Sequence, residues 1–270
     1  MLSLTMFAVL LAFGAVAGFL AGLLGVGGGL VIVPVVVGVL EAAHLGGNHV
    51  QHLAVGTSLA VMVFTSFSSV LAHHKKGAVD WRIVRGMAPG MVLGTFGGSL
   101  LASLIPSHEL RWFFVLYAYV IGAQMFFGAK PAASREMPGQ VGQSAAGGVI
   151  GMVSSWVGIG GGSMSVPFMG WCNVPVHTAI ATSAALGWPI AISGAIGYLA
   201  SGWQQPGLPW GAAGFVYLPA MLALMLMTVL LAPLGARAAH ALPVAKLKKA
   251  FAVLMVVMAS QMLLGLLRQG

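Results

Sequence analysis

Long runs without a charged residue divide this sequence into apolar stretches joined by short polar segments. The runs free of Asp, Glu, Lys and Arg cover residues 1–40, 42–74, 86–108, 112–129, 137–236 and 250–267. A helix needs about 20 apolar residues to cross a bilayer, so several of these runs hold more than one helix. We predict membrane segments at residues 5–40, 52–72, 86–105 and 111–128, and again at residues 144–171, 176–200, 210–233 and 247–267.

The composition agrees with this pattern. Hydrophobic residues make up 59% of the chain and charged residues 6%, whereas a soluble domain has about a quarter charged residues. The net charge of +8 comes from Lys and Arg in short loops, where such residues set membrane topology. We therefore expect an all-α integral membrane protein whose partner is the lipid bilayer, with no nucleic-acid partner.

The sequence contains one pattern twice. Residues 22–36 read GLLGVGGGLVIVPVV and residues 155–169 read SWVGIGGGSMSVPFM, so both contain G-[VI]-G-G-G-x-x-x-V-P. The motif H-x-x-x-x-T-S follows each copy, at residues 52–58 and 177–183. An internal match of this kind indicates a duplicated fold.

Two weaker matches keep the same order along the chain. They are Trp81 with Pro89 against Trp210 with Pro219, and residues 123–125 against residues 260–262. Each half is predicted to hold a glycine-broken segment followed by three transmembrane helices. The resulting division is a first repeat at residues 1–128, a linker at 129–143 and a second repeat at 144–270.

The distribution of basic residues predicts how the repeats are oriented. If each glycine-broken segment crosses the membrane once, Lys and Arg divide seven against five between the two sides. If each segment enters and returns, they divide ten against two, as the positive-inside rule expects. We therefore predict two inverted-topology repeats, a cytoplasmic linker and both termini outside. Whether each broken segment is re-entrant or a pair of short helices stays open.

The glycine triplets mark the predicted substrate site. A glycine run breaks a helix and leaves backbone amides unpaired, which the membrane tolerates only beside a polar cavity or within packed protein. Pro34 and Pro167 follow the triplets and suit the first turn of a helix. A helix that starts inside the membrane presents free amides and a partial positive charge, which favour an anion. The alternative is that the glycines only permit close helix packing.

The H-x-x-x-x-T-S motifs supply the predicted side chains of this site, because hydroxyl groups can donate to oxyanion oxygens. The alternatives are hydroxyls that bond to their own helix carbonyls and histidines that lie at the membrane interface. The candidate substrate-binding residues are Gly25, Gly27, Gly28, Gly29, Pro34, His52, Thr57, Ser58, Gly158, Gly160, Gly161, Gly162, Ser163, Pro167, His177, Thr182 and Ser183.

Other chemistry receives less support from the sequence. Its four acidic residues fall in loops or at predicted helix ends, which disfavours a carboxylate proton relay. The 16 methionines, eight histidines and Cys172 leave a soft-metal permease as one alternative. Ser163 near His177 leaves an intramembrane hydrolase as another, although no G-x-S-x-G surrounds Ser163. We expect a transporter without catalytic residues, cofactor or bound metal.

The doubled glycine element with H-x-x-x-x-T-S after it resembles the sulfite exporter TauE/SafE family of membrane transporters, over nearly the whole chain. The resemblance implies transport of sulfite or organosulfur acids across the bacterial inner membrane, with the glycines and proline of both copies at the site. Alternating access would come from one repeat moving against the other. The second copy has Ser163 and Ser165 where the first has Leu30 and Ile32, so the two half-sites differ.

Overall fold

The computed structural model describes residues 3–25, 27–128, 135–239 and 244–269, and these residues are almost entirely helical. A 3₁₀ turn at Gly47–His49 precedes the third helix, and a two-stranded antiparallel hairpin precedes the ninth. The helices are α1 (Leu4–Leu24), α2 (Gly29–Ala42), α3 (Val50–His74), α4 (Trp81–Ala102), α5 (Ser107–Phe127), α6 (Gln140–Val157), α7 (Gly162–Trp171), α8 (Val176–Gly202), α9 (Leu218–Ala238) and α10 (Val244–Gln269); the strands are β1 (Ala212–Ala213) and β2 (Val216–Tyr217).

Within the described ranges, six helical segments are long and apolar enough to cross a membrane. They are Leu4–Leu24, Gly47–His74, Ser107–Phe127, Val176–Gly202, Leu218–Ala238 and Lys249–Leu267. Large apolar side chains such as Leu93, Leu116 and Leu222 stay exposed on the outer helices, as lipid contact requires. The chain is an all-α membrane protein.

Each glycine-broken segment consists of one long helix and one short helix. α1 has 21 residues and is about 32 Å long, enough for the hydrocarbon core. α2 has 14 residues and reaches only about 21 Å. The second repeat has the same order, with 18 residues in α6 and 10 in α7. Each broken segment is therefore a long helix followed by a short one, and α1 but not α6 is among the helices long and apolar enough to cross a membrane.

The third predicted segment of the second repeat begins later than expected. Residues 210–217 contain the β1–β2 hairpin, and α9 starts only at Leu218. Trp81 is the first residue of α4, whereas Trp210 lies ahead of the hairpin, so the tryptophan match between the repeats was wrong. The corresponding positions are the N-caps of the two helices, Asp80 and Tyr217.

Glycines allow two helix pairs to pack backbone against backbone. A Cβ atom at Gly18 of α1 would lie 2.5 Å from the Thr228 Cα atom of α9, and one at Gly22 would fall on the carbonyl oxygen of Ala232. In the same way, a Cβ atom at Gly90 of α4 would fall on the backbone of α6. The first helix of each repeat thus packs along the fourth helix of the other repeat, as small residues permit in membranes.

The helices α3 and α8 form the centre of the bundle. The Thr57 hydroxyl of α3 accepts a hydrogen bond of 2.9 Å from the Tyr217 amide, which lies in the segment after α8. The Thr182 hydroxyl of α8 accepts one of 3.0 Å from the Asp80 amide, in the segment after α3. Because the start of each helix lies beside the chain that follows the other, α3 and α8 run antiparallel.

Candidate functional site

Two glycine turns lie buried where the long and short helices of each pair meet. In the first turn, Gly25, Gly27 and Gly28 have φ angles of 67°, 81° and 78°. In the second, Gly158 and Gly161 have φ angles of 77° and 72°. This left-handed region is one that residues with a Cβ atom rarely adopt, so both sharp turns require glycine.

Each turn starts a short helix without a side-chain cap. Gly28 is the N-cap of α2 and Gly161 the N-cap of α7, and neither N-cap position provides a side-chain acceptor. The amides of Val31 and Met164 donate to the N-cap carbonyls of Gly28 and Gly161. The amides ahead of them in each first turn have no partner within the helix, and they carry the positive end of its dipole. The fold therefore places two electropositive helix ends inside the bundle, as the sequence predicted.

The prolines do not occupy the predicted position. Pro34 and Pro167 lie inside α2 and α7, each five residues after the first helical residue. The sequence placed them in the first turn, but the left-handed glycine N-caps start both helices earlier. A proline at this position removes one helical amide, so the carbonyl groups of Leu30 and Ser163 lack their usual helical donors.

The two glycine turns contact each other directly. A Cβ atom on Gly27 would lie 3.2 Å from the Gly160 nitrogen, and one on Gly29 would fall on the Gly158 carbonyl oxygen. The Met62 Cε atom would lie 2.5 Å from a Cβ atom on Gly27 and 2.8 Å from one on Gly160. The turns are therefore packed against each other, as the close-packing alternative expects, and the end of the Met62 side chain lies against both of them. The sequence did not single out Met62.

A narrow cleft opens beside this contact. The unfilled space there is about 210 Å³, part of it open to the outside, and it is too constricted to hold a water molecule. Its lining residues come from α1, the first glycine turn, α3 and α8: Ala21, Gly25, Gly27, Thr65, Ser66, Ser69, Ala184 and Gly187. Of the predicted site residues, Gly25 and Gly27 line this cleft.

The motif serines hold the glycine turns across the repeats. The Ser58 hydroxyl of the first repeat donates to the Gly158 carbonyl oxygen at 2.8 Å. The Ser183 hydroxyl of the second repeat donates to the Gly25 carbonyl oxygen at 3.1 Å and accepts from the Ser165 hydroxyl at 2.9 Å. These bonds, together with those of Thr57 and Thr182, join the two halves, a role that the sequence analysis did not consider.

The two motif histidines occupy different environments. His52 is 3% exposed, and its Nε2 atom lies 3.0 Å from the Ala102 carbonyl oxygen while its ring stacks on Phe215. His177 is the second residue of α8 and is exposed. His52 is therefore buried in the bundle rather than interfacial, and these contacts link it to α4 and the hairpin rather than to a glycine turn.

The contacts of Ser163 differ from those of a hydrolase nucleophile. Its Oγ atom lies 2.6 Å from the Tyr117 hydroxyl oxygen, so its partner is a phenol rather than the imidazole base of a serine hydrolase. Over the described parts of the chain, no three His, Cys, Asp or Glu side chains come close enough to hold a metal ion.

Comparison with known proteins places the chain among membrane transporters. The family model for sulfite exporter TauE/SafE matches residues 10–262. A probable membrane transporter protein of Haemophilus influenzae is 37% identical over 252 residues, covering 93% of this chain and 96% of the relative. The probable membrane transporter protein YunE of Bacillus subtilis is 28% identical over 220 residues, covering 73% of this chain and 79% of the relative. No solved structure matches the chain significantly.

The family model covers nearly the whole sequence, and this match shows that the chain belongs to the sulfite exporter TauE/SafE family of membrane transporters.

Proposed function

We propose that this transporter carries small sulfur-containing oxyanions, sulfite or organosulfur acids, across the bacterial inner membrane. It acts as a carrier rather than an enzyme, and one repeat moves against the other to expose the site alternately to each side. The family resemblance supplies the substrate class, and the geometry of the glycine turns supports an anionic substrate.

The observation that carries the proposal is the meeting of two uncapped helix starts. α2 begins after Gly28 and α7 after Gly161, and the turns that precede them touch at Gly27 and Gly160. Backbone amides and helix dipoles at such ends stabilise negative charge. The cleft beside them is lined by small residues and by residues with hydroxyl groups. The hydroxyl groups can donate hydrogen bonds to oxygen atoms.

Two observations support alternating access between inverted repeats. The equivalent helices α3 and α8 run antiparallel, as their reciprocal hydrogen bonds require. Ten basic residues fall on one side of the membrane only when the repeats are inverted. In this arrangement the linker is cytoplasmic and both termini lie outside.

The variant Gly160→Ala tests the glycine site. Gly160 lies outside the left-handed region, and its new methyl group would point between the turns, where the nearest atom is the flexible end of Met62 at 2.8 Å. In liposomes containing the purified protein, we expect kcat/KM for sulfite to fall at least about tenfold, a loss of about 1.4 kcal/mol.

The matched control is Gly170→Ala in α7, where an added Cβ atom meets no heavy atom within 4 Å. Its transport rate should equal that of the wild-type protein. Position 28 is less suitable, because a Cβ atom there would lie 2.8 Å from the Ala17 carbonyl oxygen and would strain the backbone. Wild-type kinetics in Gly160→Ala, with equal amounts of folded protein, would contradict the proposed site.

A further inference from the structure

The central helices α3 and α8 contribute different side chains to the two halves of the site. Four residues after the motif serine, the first repeat has Met62 and the second has Gly187. Met62 packs against both glycine turns, whereas Gly187 lines the cleft. The cleft thus lies where the second repeat lacks a side chain.

The same comparison shows that the polar groups of the cleft come from one repeat. Ser66 and Ser69 lie eight and eleven residues after the first motif serine, where the second repeat has Ala191 and Gly194. Ser66 and Ser69 are three residues apart on α3 and therefore share a face of the helix. A Cβ atom on Gly187 would lie 3.1 Å from the Ser66 hydroxyl oxygen, so these two residues face each other across the cleft.

Ser69 has an unused hydroxyl group. Ser69 is 2% exposed, and its Oγ atom has no hydrogen-bond partner. A serine inside a helix usually bonds to a carbonyl of the preceding turn, and leaving a buried hydroxyl unpaired is unfavourable. The nearby hydroxyls are occupied, because Thr65 donates to Thr228 and Ser68 donates to the Val229 carbonyl. Ser69 thus retains a free donor on the wall of the cleft.

We propose that the hydroxyls of Ser66 and Ser69 form a half-site that binds the oxygen atoms of the transported oxyanion, with the first glycine turn opposite. This inference rests on the proposed function. The residues lining the cleft carry no charge, so the ligand is held by hydrogen bonds and helix dipoles. A cation would face the positive ends of α2 and α7, whereas an anion with several oxygens can accept from both hydroxyls at once.

The cleft is too constricted to hold a ligand in this structure, so binding requires the cleft to widen. The cleft widens when the repeats separate at Gly27 and Gly160, and the oxyanion then enters from the end of α3 that carries Ser69. Because only α3 provides these hydroxyls, the substrate remains bound to the first repeat while the second repeat moves. The half-site is consequently asymmetric although the fold is duplicated.

The test uses full-length protein in liposomes and sulfite as the probe. We expect Ser66→Ala and Ser69→Ala each to raise KM for sulfite about tenfold, as loss of one hydrogen bond to a charged ligand predicts. Ser69→Thr, which keeps a hydroxyl, should restore most of the affinity. The matched control is Ser68→Ala on the same helix, whose hydroxyl faces α9 and whose loss should leave KM unchanged.

The outcomes separate this inference from the proposed function. Sulfite transport by the wild-type protein with an unchanged KM in Ser66→Ala and Ser69→Ala overturns the half-site alone. Absence of transport of sulfite and of sulfonates by the wild-type protein overturns the proposed function and the half-site with it. A third outcome concerns a cation. If sodium raises the melting temperature equally with sulfite and with gluconate as the counterion, and Ser69→Ala abolishes this effect, the hydroxyls bind a cation and the half-site is overturned.

Discussion

At the scale of single residues, Met62 is the side chain packed where the two glycine turns touch. Its thioether end contacts both turns, and the residue is fully buried. Methionine is unbranched and flexible, so it can fill an irregular gap and leave it without a change in the backbone. We therefore expect Met62 to oppose opening of the site rather than to bind substrate.

The variant Met62→Ala should transport sulfite faster while being less stable. Removing a buried methionine side chain destabilises a protein by about 2–5 kcal/mol, and here it also removes the group that must be displaced when the turns separate. Initial rates in liposomes and melting temperatures in detergent measure the two effects.

The control for this prediction is Met258→Ala on α10. Met258 is also buried, with 5% of its surface exposed, but it lies far from the glycine turns in the sequence. It should lower the melting temperature without raising the transport rate. Equal rates in Met62→Ala and the wild-type protein would show that Met62 does not restrict opening.

Residue-scale features were only partly readable from the sequence. The glycines were identified because two triplets in corresponding positions have no place in an ordinary membrane helix. Met62 was not identified, because a methionine in an apolar run indicates only burial. The signal that could have found it is the mismatch with Gly187 within an otherwise conserved repeat order. Ser66 and Ser69 were also missed, because their mismatch with Ala191 and Gly194 of the second repeat was not compared.

At the scale of elements, the motif serines join the start of one central helix to the glycine turn of the other repeat. Ser58 reaches the Gly158 carbonyl and Ser183 reaches the Gly25 carbonyl, so the two bonds are equivalent under exchange of the repeats. A buried carbonyl that loses its hydrogen-bond donor is destabilising, because the free-energy cost of removing it from water is no longer offset. These bonds therefore stabilise the packed arrangement of the two turns.

We expect Ser58→Ala and Ser183→Ala each to reduce the free energy of unfolding by about 1–3 kcal/mol. The reduction should be at least as large in Ser183→Ala, because that variant also leaves the Ser165 hydroxyl without its acceptor, and thermal unfolding in detergent measures it. Ser103→Ala is the control, since its hydroxyl bonds only to the Leu100 carbonyl of its own helix near the surface. If Ser58→Ala or Ser183→Ala has the same melting temperature as Ser103→Ala, the two serines do not stabilise the glycine turns.

Element boundaries followed from the sequence where composition alone decides them. The central helix predicted at residues 176–200 is observed at Val176–Gly202, because a long apolar run must be helical in a bilayer. The β1–β2 hairpin was missed because residues 210–217 continue the apolar run without a charged residue. The position of Pro34 was missed because a left-handed glycine N-cap leaves no signal in the sequence.

At the scale of the whole molecule, the repeats interlock rather than lie side by side. Each repeat contributes its first helix to a pair with the fourth helix of the other, and α3 and α8 cross antiparallel at the centre. Such exchange leaves no simple boundary between two halves. Under the proposed alternating access, the repeats would have to move along these helix pairs, where glycines leave few side chains to obstruct sliding.

Cysteine labelling tests the inverted arrangement. Lys76 and Gln205 are exposed in the corresponding segments after α3 and α8, so inverted repeats place them on opposite sides of the membrane. With the buried Cys172 replaced by serine, we expect an impermeant maleimide to label Gln205→Cys in intact cells and Lys76→Cys only after the membrane is opened.

Leu104→Cys, in the segment between α4 and α5, is the control for labelling from outside, because Leu104 is 80% exposed. Labelling of Lys76→Cys and Gln205→Cys from the same side would show that the repeats are parallel, and the alternating-access scheme proposed above would lose its basis.

The serine bonds between the repeats also affect how the chain is made. Gly25 is held by Ser183, which is 158 residues further along the sequence. At a synthesis rate of about 5–20 residues per second, the ribosome needs roughly 8–32 s to supply that partner. During this interval the first glycine turn has neither its hydroxyl donor nor the helices that shield it from lipid. We therefore expect a chain truncated near its middle to be degraded faster in the membrane than the full chain, because its first glycine turn lacks the Ser183 donor.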